Sequence, residues 1–251
     1  MIGAIIQARM ASTRLPGKVL LEVNGRPLLD YLLERLKASK KIEKIIIATT
    51  ANSKDDVIAS YAKKNNIPFF RGSEEDVLDR YYRAAKKFNI DHVIRITADC
   101  PLIDPKLCDE VIDTYLKEKA DYACLGPTFA EGLGCEIFSF EVLENVHENA
   151  LKKSEREHVT LFINTHQDQF RRMVLRNSAD DGSYRYTLDH PEDFEVIKAI
   201  ILALYRGPIP FESQQIRQFL GRNKVIFAMN AHIKRNEGLL ISLKKHGELQ
   251  G

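Results

Sequence analysis

Apolar positions along the chain follow two periods in turn. Ile2 to Gln7 is a short run dominated by isoleucine and bounded by a polar loop. It predicts a strand buried on both faces. Leu28, Leu29, Leu32, Leu33 and Leu36 recur at helical spacing behind Pro27, a residue suited to a helix start. The same signals then predict strands at Ile45 to Thr49, Pro68 to Phe70, His92 to Thr97 and Tyr122 to Leu125. Helices are expected between them at 55–65, 74–88 and 105–119. Such alternation argues for a mostly parallel sheet with helices on both faces.

Past residue 125 the alternation breaks. A loop over 126–134 leads to a strand at Glu136 to Phe140, then to helices near 141–151 and 154–167. An edge strand follows at Phe170 to Arg176, another strand at Tyr184 to Leu188, and a helix opened by Glu192 and Asp193 that runs to about Tyr205. Ser154, with Glu157 three residues on, has the pattern of a capping box. The expected organisation is a main domain over 1–220, an element at about 126–180 that leaves the main sheet, and a tail at 221–251 without an assigned role. The basic segment Ile233 to Lys245 in that tail reads as a solvated surface helix.

Composition changes the picture only by exclusion. A chain of 251 residues with 44% hydrophobic and 29% charged positions can bury a core without disulfides or a structural metal. A net charge of +2 is too small for a nucleic-acid-binding protein, so no nucleic-acid partner is expected. The four cysteines, at 100, 108, 124 and 135, form no CxxC and no paired motif with histidine, and read as reduced core thiols. Met1 to Met10 is too short for a signal h-region with a cleavage site. No run of about 18 apolar residues occurs, so no membrane insertion is expected and the cytoplasm is the expected compartment.

Candidate chemistry gathers at strand ends. The loop from Ala8 to Lys18 follows the first strand and holds Arg9, Arg14 and Lys18, the hydroxyls of Ser12 and Thr13, and no acid. Ligands of open α/β sheets bind at the carboxyl ends of the strands, and these groups suit a triphosphate and a departing pyrophosphate. It is not a Walker A loop: no glycine stands six residues before Gly17-Lys18, and Val19 occupies the Ser/Thr position. No GxGxxG follows any strand. Asp99 and Asp189 each end an expected strand and open a turn into a helix. Two such carboxylates at one sheet edge would suit Mg2+, which takes one or two protein carboxylates plus phosphate and water. The commoner role of an Asp before a helix is a turn or an N-cap.

The stretch Ile5-Ile6-Gln7-Ala8-Arg9-Met10-Ala11-Ser12-Thr13-Arg14-Leu15-Pro16-Gly17-Lys18 resembles the signature loop of the CMP-sugar synthetases. These are the acylneuraminate and 3-deoxy-manno-octulosonate cytidylyltransferases, and the likeness is strongest to their spore-coat polysaccharide branch. Phe70 to Tyr81, Ile96 to Asp104, Ser154 to Thr160 and Leu188 to Phe194 also resemble that branch, in family order. The resemblance implies a nucleotide-diphospho-sugar transferase (GT-A-like) fold: a three-layer α/β sandwich on a mixed, mostly parallel sheet, with an inserted dimerisation element. It implies a homodimer, CTP as donor, an acidic sugar as acceptor and Mg2+ as cofactor. Arg9, Arg14 and Lys18 would hold the triphosphate, Ser12 and Thr13 would support it, and Ala8 would line the cytosine pocket. Arg71 and Ser73 match a nucleotide-contacting stretch, and Asp99 and Asp189 match the Mg2+ aspartates. Arg156, His158 and Arg185 are candidates for the acceptor's carboxylate. The sequence departs from the branch at Gly134-Cys135, ahead of Glu136, and at His190.

Two other readings start from the same residues. A sugar-1-phosphate nucleotidylyltransferase or a GT-A glycosyltransferase would use the same sheet edge. The first usually carries a GGxGxR-type loop and the second an Asp-x-Asp pair, and neither occurs here. A non-catalytic nucleotide-binding partner in a polysaccharide pathway would not need Asp99, Asp189, Arg14 and Lys18 together.

Overall fold

The computed structural model describes residues 1–248. The chain opens with β1 (Ile2–Gln7) and, after the basic loop, a small hairpin of β2 (Glu22–Val23) and β3 (Arg26–Pro27). Asn24 and Gly25 turn that hairpin with φ of 53° and 69°, the left-handed pair a tight two-residue turn requires. Helix α1 (Leu28–Lys37), β4 (Lys44–Thr50), α2 (Asp56–Lys64), β5 (Phe69–Gly72), α3 (Val77–Phe88), β6 (His92–Thr97), α4 (Pro105–Glu118) and β7 (Tyr122–Leu125) then alternate as expected. Next come β8 (Glu136–Ser139), α5 (Phe140–Asn149), α6 (Lys153–Glu157), α7 (Leu161–Thr165), β9 (Arg172–Leu175) and α8 (Pro191–Leu204). Helices α9 (Ser213–Arg222), α10 (Lys224–Ala228) and α11 (Glu237–His246) complete the described chain.

Seven strands form one sheet in the order β5-β4-β1-β6-β8-β7-β9. Every pairing is parallel except the two made by β8, which runs against β6 and β7. The sheet is therefore mixed and mostly parallel, and the loops after β1, β4, β6 and β7 leave from one edge. Both faces are buried, which explains the continuous apolar runs. Ala4, Ile6, Ile47, Ile94 and Ile96 pack against Leu29, Leu32, Ile58 and Val111 from α1, α2 and α4. Ile5, Ile46, Val93 and Phe138 pack on the other face against Tyr81, Ala84, Leu143 and Phe162 from α3, α5 and α7. No described helix is long and apolar enough to cross a membrane.

The fold differs from the sequence reading in several places. The stretch around 126–180 does not leave the sheet: it supplies β8, between β6 and β7, and the edge strand β9. A helix over 154–167 is replaced by α6, α7 and a short 3-10 turn, because His158 leaves helical backbone at φ −108° and ψ 71°. Ser154 is not the cap. Lys152 takes that place, its N–H donating to Glu155 Oε2 at 3.2 Å, while the Ser154 hydroxyl donates to Glu248.

Tyr184 to Leu188 is extended but joins no ladder beyond a single bridge between Arg185 and Glu131. Its alternation reports burial of Tyr186 and Leu188 against α8 in a third core cluster. A boundary at residue 220 falls inside α9, and Ile226 and Phe227 beyond it pack on that same cluster.

Candidate active site

The basic loop is built by its backbone. Ala8 N–H continues the sheet by donating to Ala48 O at 3.1 Å. Met10 O then accepts from the N–H groups of Ser12 (2.9 Å) and Gly17 (3.0 Å), folding the loop into a closed ring with Gly17 at φ 70°. Buried Asp55, after β4, anchors the ring by accepting from Met10 N–H at 2.7 Å. The Ser12 hydroxyl oxygen accepts from Leu15 N–H at 3.3 Å. Arg9, Arg14 and Lys18 are thereby presented on one side, above the ends of β1 and β6.

Asp99 follows β6, the parallel neighbour of β1, and its side chain reaches the same place. Lys18 Nζ donates to Asp99 Oδ2 at 3.0 Å and to Asp189 Oδ1 at 2.8 Å. The two aspartates, 90 positions apart in sequence, are thus joined through one ammonium. Backbone hydrogen bonding explains the approach: Leu188 N–H donates to the Asp99 carbonyl at 2.8 Å and draws the Tyr184 to Asp189 segment alongside β6. Arg14 Nη2 also meets Asp189 Oδ1, at 2.8 Å. Burial pulls the Lys18 pKa down, but the charges of Asp99 and Asp189 outweigh it and hold the ammonium above its usual value. Burial pushes Asp189 up, and Lys18 and Arg14 overcome it and hold the carboxyl well below the usual range. Lys18 and Asp189 are therefore both ionised near neutral pH.

Asp189 is held from behind by Arg185. This guanidinium is 5% exposed and is spent on Asp189 Oδ2 (3.1 Å), Asp193 Oδ1 (2.9 Å) and Glu131. Asp193 is fully buried, and its Oδ2 accepts from the N–H groups of Asp189 and His190, both at 2.9 Å, capping α8 behind Pro191. Arg185 is thus a positioning group for Asp189 rather than a ligand for an acceptor. Arg156 is likewise consumed: it makes a bidentate pair with Asp76 and donates to His147 O at 2.7 Å. Arg71 bridges the carbonyls of Thr50 and Asn52 and the carboxylate of Asp56. The Ser73 hydroxyl accepts from Asp76 N–H at 3.0 Å, ahead of α3. None of these four lines the cavities described next.

A cavity of about 580 Å³ lies over the paired carboxylates. Ala8, Arg9, Ser12, Thr13, Arg14, Lys18, Asp99 and Asp189 line it, so the basic loop and the two aspartates form one site. A second cavity, of about 520 Å³, adjoins it and shares Arg95, Thr97, His158 and Gly238 as common wall. Arg172, Arg235 and Asn164 line the second cavity, with buried Nε atoms of Arg95 and Arg172 and the His158 Nε2 left without a partner. Burial lowers the His158 pKa, so its imidazole is neutral near neutral pH. Arg95 is paired with Glu136, which also accepts from the hydroxyls of Tyr122 and Thr160. Cys100, beside Asp99, is not a nucleophile, since burial and the Asp99 charge raise its pKa.

Of the residues singled out from sequence, His158 is the acceptor-side candidate that reaches a cavity. Arg80, Arg95, Arg172 and Arg235 were missed. Arg95 stands in a mostly apolar strand, Arg80 in a charged helix that borders the first cavity and Arg235 in a turn, so no common sequence signal marks them. The surface-helix reading of Ile233 to Lys245 is also corrected: Gly238, Ile241, Ser242 and Lys245 of α11 line the first cavity.

The chain is similar to known proteins in sequence and in fold. The family model described as Cytidylyltransferase matches residues 3–226. An uncharacterized protein of Methanocaldococcus jannaschii is 38% identical over 233 residues, 92% of this chain and 95% of that protein. Spore coat polysaccharide biosynthesis protein SpsF of Bacillus subtilis is 37% identical over 205 residues, 78% of this chain and 84% of its own. The solved structure of a cytidylyltransferase from Leptospira borgpetersenii superposes with a TM-score of 0.86 at 36% identity, covering 93% of this chain and 99% of that one. A CMP:2-keto-3-deoxy-manno-octonic acid synthetase shares the fold at a TM-score of 0.63 and 16% identity, over 81% of this chain and 99% of its own. The chain belongs to the cytidylyltransferase family.

Proposed function

We propose that the protein transfers the cytidylyl group of CTP to a hydroxyl of an acidic, 2-keto-type sugar, releasing pyrophosphate, as a Mg2+-dependent homodimer in surface or spore-coat polysaccharide synthesis. The observation that carries this reading is the meeting of Arg14, Lys18, Asp99 and Asp189 in one cavity at the carboxyl edge of the sheet. The acceptor hydroxyl attacks the α-phosphorus in line, and pyrophosphate leaves. Lys18 and Arg14 exchange a carboxylate partner for phosphate oxygens and stabilise the departing charge. Asp99 and Asp189, hard oxygen donors that already share one cation, suit Mg2+. Among the described residues no group of three or more candidate ligands occurs, so phosphate and water would complete the coordination. Bound there, Mg2+ would polarise the phosphoryl oxygens and lower the pKa of the attacking hydroxyl.

The second cavity supports the acceptor assignment. The guanidinium groups of Arg172 and Arg235, which among the described residues hydrogen-bond only to an amide oxygen and backbone carbonyls, line a volume adjoining the nucleotide cavity, and cations without a carboxylate partner favour an anionic ligand. A neutral sugar would leave them unsatisfied.

The test is pyrophosphate release from CTP and Mg2+ across a panel of sialic-type and octulosonic acids. We expect release with one of these acids, and a loss of kcat of about 10³-fold in Asp99→Ala and in Asp189→Ala. Full activity in either variant, or activity without added divalent cation, would remove the metal assignment. Absence of CTP binding would remove the reaction. Sedimentation at the mass of one 28.7 kDa chain would remove the dimer.

A further inference from the structure

Helix α11 lies beyond the residues matched by the family, which end at 226. It is nevertheless tied down along its whole length onto the walls of the site. Ahead of it, Arg235 Nη1 donates to Phe129 O at 2.8 Å and Asn236 N–H donates to Glu131 Oε1 at 2.8 Å. In its first turn, Glu237 pairs with His190 at 2.6 Å and lies 3.7 Å from Arg14. Midway, the Ser242 hydroxyl donates to Glu157 Oε2 at 2.6 Å, and His246 lies 3.7 Å from the same carboxylate. Past its end, Glu248 accepts from Ser154.

Gly238, Ile241, Ser242 and Lys245 stand at i, i+3, i+4 and i+7, one face of a helix, and all four line the nucleotide cavity. A solvated tail helix has no reason to turn one face into a polar cavity or to place its acid against a phosphate-loop arginine. Lys245 brings a cation from outside the signature loop to the cavity that holds Arg9, Arg14 and Lys18.

We infer that α11 is a wall of the nucleotide site, and that Lys245 is a binding residue for the polyphosphate of the nucleotide, supplementing the three cations of the basic loop. This rests on the CTP reading above. Glu237 fixes the helix by its pairs with His190 and Arg14, and Gly238, which borders both cavities, lets the backbone run between donor and acceptor without a side chain in the passage.

The experiment is calorimetric titration of CTP and of CMP, with Mg2+, into four proteins: the full chain, Lys245→Ala, Lys244→Ala, and a chain ending at Lys234. Lys244 and Lys245 are both exposed, so neither substitution threatens the fold. The expected result is CTP affinity about fivefold weaker in Lys245→Ala, as for one partly exposed charge pair. CMP affinity stays within about twofold, Lys244→Ala binds as the full chain does, and the shortened chain loses more than Lys245→Ala. Equal CTP affinity in Lys245→Ala and the full chain overturns the inference. So does an equal loss in Lys244→Ala, which would mark only the general field of the helix. A full chain that binds no CTP overturns the nucleotide reading and this inference with it. If the shortened chain does not fold, the two lysine variants decide alone.

Discussion

Glu136 is the residue on which the common wall of the two cavities depends. It stands on the antiparallel strand β8, and its carboxylate serves Arg95 across the ladder as well as the hydroxyls of Tyr122 and Thr160. Removing one partner of a buried pair leaves the other charge uncompensated. Glu136→Gln keeps the shape and the hydroxyl partners but strands Arg95, so we expect a loss of about 3 kcal/mol in chemical denaturation. The pair also sets a direction with pH. Burial raises the Glu136 pKa, but Arg95 and the hydrogen bonds outweigh it and hold it below the ordinary value. A carboxyl depressed in the folded state adds stability that is complete above its unfolded pKa, about 4.3 for Glu, and is lost as pH falls through the folded value. Unfolding midpoints measured from pH 7 down to pH 3 should therefore fall less steeply in Glu136→Gln than in the parent.

At the scale of elements, the decisive contact is between a loop and an irregular segment. Gly132 has φ +99°, and a Cβ there would lie 2.4 Å from Thr187 N and from Tyr186 C. That backbone leads directly to Asp189 and is bridged to the Glu131 loop by Tyr186 N–H on Glu131 O at 2.6 Å. No rotamer relieves a clash between backbone atoms, so Gly132→Ala must displace the Tyr184 to Leu188 segment. We expect a destabilisation of at least about 2 kcal/mol. We also expect a fall in CTP turnover beyond that seen with Gly134→Ala, whose added Cβ meets nothing within 4 Å. Equal turnover in the two variants would show that Asp189 is positioned without this contact. The segment's strand-like alternation was legible, but its pairing was not. Alternation reports that Tyr186 and Leu188 are buried, whereas the partner that covers their backbone is a loop more than 50 positions earlier.

For the whole molecule, the site is a junction of parts distant in sequence: the loop after β1, the end of β6, the cap of α8 and the face of α11. A ligand that joins them stabilises the folded chain by mass action. At 100 times its Kd, CTP should add about 2.7 kcal/mol. For a chain of this length that corresponds to a rise in Tm of about 5–10 °C. A thermal melt with CTP and Mg2+, against one with Mg2+ alone, checks it. An unchanged melt at a CTP concentration shown by titration to saturate the site would mean that CTP binds the unfolded chain as well.

What could be read without coordinates were features governed by neighbours in sequence. Isoleucine runs and leucines at helical spacing report burial and period, so β1, β4, β6, α1 and α4 were placed within a residue or two. The basic loop stood out because three cations and two hydroxyls fall on one short stretch without an acid, and Asp99 because it ends an apolar run. What the sequence could not supply was which charges cancel. Arg71, Arg156 and Arg185 look like anion ligands until the fold sets Asp56, Asp76 and Asp193 beside them and keeps all three out of the walls of the two cavities. The converse holds for Lys245 and Arg235, which read as surface charge in a tail and face cavities only because α11 folds back across the sheet edge. The pairing of Asp99 with Asp189 belongs to the same class. It depends on one hydrogen bond from Leu188 to Asp99 and on the buried cap of Asp193, contacts whose energy is tertiary and leaves no periodic mark on the chain.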